Sequence, residues 1–238
     1  SGLYGLFGAH KVEADTEVPD PGEPVEIPEK TYRIFGTPFA QYFRVDANIA
    51  KQFVLGEKTR LVYRFYAGWG FAYGNSVTLP YDRMFYAGGI NSMRGWVART
   101  LGPGNSETWD NVAESDPDKD DLKTFPHQVG NFKLETNLEF RFPVWGFLHG
   151  AVFCDVGNIW FARQGTSLPE DSFHFDTFYR QLGFNTGLGL RFDFNFFVFR
   201  VDWGIQLHNP NQPAGERWVI KNFHLKNSSL NFGVGYPF

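Results

Sequence analysis

Between Phe132 and Phe142 the chain changes character at every residue. Lys133, Glu135, Asn137, Glu139 and Arg141 occupy one parity, and Phe132, Leu134, Leu138, Phe140 and Phe142 the other, with Thr136 its only polar member. A strand with this pattern has one face for an apolar medium and one for a polar medium. The pattern recurs. From Leu182 to Phe196 the aromatic and aliphatic set alternates with Asn185, Gly187, Gly189, Arg191, Asp193 and Asn195. From Phe199 to Leu207 it alternates with Arg200, Asp202, Gly204, Gln206 and His208. Further two-faced segments run through Phe43–Phe53, Leu61–Tyr73, Leu148–Trp160 and Leu230–Phe238, which makes seven strands. A soluble sandwich has one polar face outside. It does not readily carry charge on the second face of nearly every strand beside such large aromatics on the first. The fold expected is an all-β, antiparallel transmembrane barrel, apolar side out.

Composition agrees at the points that matter. Aromatic residues make up 18% of 238 residues, too much for an ordinary soluble domain, and 27 of them are Phe. No run approaches the roughly 18 consecutive apolar residues of a membrane helix. A formal charge of −4 without a Lys/Arg cluster excludes a nucleic-acid footprint. Cys154 is the single cysteine, so it forms no intrachain disulfide, and it is read as an apolar lipid-facing or packing residue. Six acids between Trp109 and Asp121 lack the Gly and terminal Glu of an EF-hand loop and read as a solvated acidic loop. The six histidines show no paired ligand spacing, and no nucleophile elbow or phosphate-cradling loop is present, so no metal, cofactor or catalytic set is expected.

Connection lengths alternate as well. Short turns are expected near Leu55-Gly56, Pro143–Gly146 and Asn195-Phe196. Long polar links span Leu79–His127, Phe161–Tyr179 and Pro210–Ser229. Outer-membrane barrels put short turns on the periplasmic side and long loops outside, which would set Phe238 at the periplasmic rim. The chain divides into residues 1–40 and residues 41–238. In the first part Gly2–Ala9 reads as the tail of an eighth strand and Lys11–Lys30 as an extracellular loop or link. The second part holds the strands and a long internal loop at 79–127. No signal peptide opens the sequence, and an exported protein needs one, so Ser1 is not expected to be the native start.

The longest link carries Gly88-Gly89, Ser92-Met93-Arg94-Gly95-Trp96 and Leu101-Gly102-Pro103. Arg94 on such a loop has two readings. It is either an exposed arginine worth little energetically, or it folds into the lumen, where Glu139 and Asp155 present carboxylates on adjacent strands to its planar guanidinium. The order of motifs resembles the C-terminal half of the barrel in the BamA/TamA family of outer-membrane insertases, also known as the bacterial surface antigen family. Three pieces carry the resemblance across roughly Tyr42 to Phe238. They are the Met93-Arg94-Gly95-Trp96 loop with its following Gly-Pro, the strands around Leu138-Glu139-Phe140 and Phe153–Trp160, and an aromatic terminus after alternating hydrophobics. Met93 stands where the family has Val, and Trp96 where it has Phe or Tyr. Pro237 is a further oddity, best tolerated where a strand is ending.

The resemblance implies about seven or eight strands of a 16-stranded barrel, with Arg94 pinned by Glu139 and Asp155. It implies a lateral seam ending in the C-terminal strand, whose residues Leu230, Phe232, Gly233, Val234, Gly235, Tyr236 and Phe238 also serve as the assembly signal. The implied activity is insertion of nascent outer-membrane β-barrel proteins, or protein translocation, in the outer membrane of a Gram-negative (diderm) bacterium. The implied partners are outer-membrane lipids, the client barrels, periplasmic or lipoprotein accessory subunits, and the N-terminal part of the barrel. No enzyme activity and no cofactor are implied. Alternatives are a two-partner-secretion-type transporter, a small passive barrel, and the membrane anchor of a patatin-like lipase.

Overall fold

A computed structural model describes residues 10–13, 30–35, 37–106, 128–162, 171–194, 196–222 and 224–238. Ten strands are present among them. A small antiparallel sheet comprises β1 (His10–Glu13), β2 (Lys30–Ile34) and β3 (Thr37–Pro38). The main sheet comprises β4 (Tyr42–Val54), β5 (Arg60–Ala72), β6 (Phe132–Trp145), β7 (Leu148–Trp160), β8 (Gly183–Asp193), β9 (Val198–His208) and β10 (Ser228–Val234). These seven lie in strict sequence order, each antiparallel to the next. Every neighbour in sequence is a neighbour in space, the meander of an up-and-down barrel. β4 and β10 form the two margins of the sheet and do not pair with each other.

Strands β4 to β9 run 11 to 14 residues. At about 3.3 Å per residue and a tilt near 45°, even the shorter ones cross an apolar band of roughly 25 Å. Burial inverts the order of a soluble protein. In β6 the buried positions are Lys133, Glu135, Asn137, Glu139 and Arg141, and the exposed ones include Leu138 and Phe140. Tyr63, Phe65, Trp69, Phe71, Val152, Leu188, Leu190 and Trp203 likewise stand exposed on the outer face. The parity read from the sequence therefore holds, with the charged face inside.

Some details differ from the sequence reading. The β6–β7 turn is confined to Gly146-Phe147, because the strand continues through Pro143 to Trp145 across a register shift. Part of the Lys11–Lys30 link is strand, with His10–Glu13 paired to Lys30–Arg33. The eighth strand proposed at Gly2–Ala9 and the acidic segment Trp109–Asp121 lie outside the described residues.

The last strand departs most. Instead of continuing to Phe238, β10 ends at Val234. Gly235 has φ +83, a conformation glycine tolerates best, and Pro237 has no N–H to offer a ladder. Leu230, Phe232 and Val234 face outward as expected. Beyond the kink the tail turns inward, so that the Tyr236 ring lies 4.4 Å from the Arg141 guanidinium and the Phe238 ring 5.4 Å from that of Arg94.

Candidate functional site

The first part of the link between β5 and β6, up to Ser106, folds back onto the inner face of the sheet and makes a core of its own there. Phe85, Ala87, Met93, Trp96 and Leu101 bury together against Ile159 of β7. Two bridges, Phe85 to Gly130 and Ala87 to Leu101, close the base of the loop. Gly88, at φ +94, lets the backbone cross itself, since a Cβ there would lie 2.2 Å from the Val97 carbonyl oxygen. Met93 is fully buried in this core, so its length fills loop interior that a shorter side chain would leave open.

That apolar pedestal delivers Arg94 to the wall. Its side chain is fully buried, and all three guanidinium nitrogens donate hydrogen bonds. Nε and Nη2 reach Asp155 Oδ2 and Oδ1 at 3.0 and 2.8 Å, the two-pronged geometry that matches a planar guanidinium to a carboxylate. Nη1 donates to Glu139 Oε2. The Arg94 backbone N–H adds a third contact to Asp155 at 3.1 Å. The guanidinium stacks 3.6 Å from the Phe153 ring centroid, within cation–π range.

The carboxylates are held in turn. Asp155 also accepts from Asn137 Nδ2 at 2.9 Å and Asn185 Nδ2 at 3.0 Å. Glu139 accepts from Arg141 Nε at 2.7 Å and Arg191 Nη2 at 3.1 Å. Arg191 passes the network on to Asp202 at 2.6 Å, and Asp202 to Arg200 at 3.5 Å. Burying so many charges costs several kcal/mol per ion unless the geometry and hydrogen bonds are good, and removing one partner of such a cluster typically costs about 3–5 kcal/mol. The arrangement therefore fixes one position of the loop.

The loop is joined to the last strand as well. The Arg94 carbonyl accepts from Asn231 Nδ2 of β10 at 2.9 Å, and the Gly95 carbonyl from Gln206 Nε2 of β9 at 3.0 Å. Gly204 makes the close approach possible, because a Cβ there would meet the Arg94 carbonyl oxygen at 2.3 Å. Arg200 lies across Gly233 of β10, where a Cβ would come within 2.6 Å of its Nε, and donates to Asn91 of the loop.

Met93, Arg94, Gly95 and Trp96 thus lie together with Glu139 and Asp155. Asn231, Gly233 and the inward-turned Phe238 connect the terminal segment to the same site. Sequence reasoning placed Asn137, Asn185, Arg191 and Asn231 on the inner face without giving them roles. Phe153 left a usable signal, as an aromatic on the otherwise polar parity of its strand. Among the described residues no group of His, Cys, Asp and Glu is arranged to hold a metal ion.

A family model described as the Omp85 superfamily domain matches residues 30–238. The chain is 27% identical over 125 residues to the outer membrane protein assembly factor BamA of Neisseria meningitidis serogroup B, an alignment covering 50% of this chain and 14% of that protein. Among solved structures, BamA from Haemophilus ducreyi lacking POTRA domains 1-3 superposes with a TM-score of 0.54 at 15% identity, covering 86% of this chain and 36% of that one. CdiB from Acinetobacter baumannii superposes at a TM-score of 0.45 and 18% identity, covering 86% and 28%. The chain spans well under half the length of each.

Proposed function

Because the chain belongs to the Omp85 superfamily and so is part of an outer-membrane β-barrel, we propose that it forms the C-terminal half of a barrel that inserts other β-barrel proteins into the outer membrane. The observation that carries this reading is the Arg94 pin. A passive pore has no need of a loop locked by a buried arginine to two wall carboxylates and tied to the terminal strand. An insertase needs its lumen organised and one strand edge available. β10 supplies the edge, since its outer side has no partner among the described residues, and a client strand would pair with it by β-augmentation. The work is non-covalent: ladder hydrogen bonds form and apolar side chains enter lipid.

The clients are unfolded outer-membrane barrels, and the complete protein would add the N-terminal barrel strands and periplasmic or lipoprotein subunits. The test is depletion of the full-length protein in its own bacterium, complemented by wild type, Arg94→Lys or Arg94→Ala, with the folded fraction of several outer-membrane barrels followed by heat-modifiable gel mobility. Depletion should lower the folded fraction of unrelated barrels, and Arg94→Ala should fail to restore it. Normal assembly of all barrels during depletion would contradict the proposal and point to secretion of a dedicated passenger.

A further inference from the structure

A groove of about 580 Å³ lies on the outer, lipid-facing side of the sheet, at the end carrying the long loops. Its floor is Val156 of β7 and Phe184 of β8, with Leu182 beside them. Trp218 and Tyr179 rise from two different loops to form its walls. Arg180 and Arg217 stand among the lining residues, and among the described residues no carboxylate does. The volume falls within the roughly 300–1,000 Å³ of small-molecule sites.

Strict alternation along β9 would turn His208 inward with Arg200, Asp202, Gly204 and Gln206. The pairing contradicts this: Asn185 faces Gln206, but its neighbour Phe184 faces His208, so β9 carries one extra residue at Leu207. Bulges of this kind re-aim a side chain. Here the bulge brings His208 to the outer face, where its Nδ1 lies 2.7 Å from the Leu182 carbonyl and its ring packs edge-on at 4.9 Å against Trp218. The bulge thereby props one wall of the groove. An aromatic girdle at the membrane boundary requires neither this bulge nor two arginines flanking an apolar slot.

We propose that the groove binds one acylated lipid of the outward-facing leaflet through a phosphorylated headgroup. The acyl chain would lie along Val156 and Phe184, and the phosphate would meet Arg180 and Arg217 at the rim. Cations above an apolar slot complement that lipid's charge and shape. The site lies on the opposite side of the wall from the Arg94 cluster and is independent of the insertase reading.

The test uses the full-length protein in zwitterionic detergent, with bisphosphorylated lipid A as the probe and native mass spectrometry as the readout of bound lipid. Wild type should retain the lipid, and Arg180→Gln with Arg217→Gln should weaken retention about tenfold, as the loss of two partly exposed charge pairs implies. Arg180→Lys with Arg217→Lys should keep most of it. Wild type should also hold a phosphate-free analogue about tenfold more weakly, an arm that needs no variant to fold. Equal retention by wild type and the Gln pair, or equal retention of the two lipids, would overturn the proposal and leave an ordinary aromatic girdle.

Discussion

Arg94 is the residue on which the site depends, and its partners determine what substitution should do. Lys in its place keeps the charge but not the planar fork, so Arg94→Lys should retain part of the wild-type resistance to loop proteolysis, and Arg94→Ala none. Glu139 also takes Arg141 and Arg191, so a charge swap combining Arg94→Glu with Glu139→Arg would set the new arginine against two others and should not rescue. Asp155 is the better partner for a double-mutant cycle. Arg94→Ala and Asp155→Asn should each cost about 3–5 kcal/mol of loop docking, while together they cost much less than the sum; additive losses would mean that the two do not act as a pair. The sequence disclosed the parity of Glu139 and Asp155 and the presence of an arginine on a long loop. It could not disclose the orientation of His208, because the inserted residue, Leu207, is the last but one of β9 and no alternating run follows it to reveal the shift in parity.

At the scale of elements, the loop and the last strand behave as connected parts. Gly204 permits the contact of the loop with β9, so Gly204→Val should displace the loop as severely as Arg94→Ala while the barrel still forms, measured by protease accessibility of the loop in folded protein. Gly235 permits the terminal kink. Its φ of +83 disfavours any side chain, although nothing lies within 4 Å of a Cβ placed there. Gly235→Val should therefore straighten the tail. A cysteine placed at Tyr236 should then lose labelling by a water-soluble maleimide and become accessible from the lipid side; unchanged labelling would argue against the kink. Strand existence was legible because lipid and water each enforce one parity of side chains. The end of β10 was less so: Gly235 and Pro237 signalled a break, but the alternation of Phe232, Val234, Tyr236 and Phe238 ran straight through it.

The whole molecule is an inverted protein, with aromatics facing lipid and its charge network enclosed between loop and wall. Such a fold tolerates buried charge because the inner face of its wall is largely polar and supplies partners for it, and its apolar stability comes from the loop's own small core and from the membrane. The two margins, β4 and β10, have no partner strand among the described residues, so this sheet can accept further strands, and the proposed function has β10 accept one from a client. The most direct measurement of that account is reconstitution of the full-length protein into phospholipid vesicles, with the folding rate of an added, urea-unfolded outer-membrane barrel followed by protease protection. Wild type should accelerate folding well above empty vesicles, and Arg94→Ala, equally well inserted, should lose most of the acceleration. Equal acceleration by wild type and Arg94→Ala would contradict the pinned loop as the organising element of the activity, and no acceleration by wild type would contradict insertion itself.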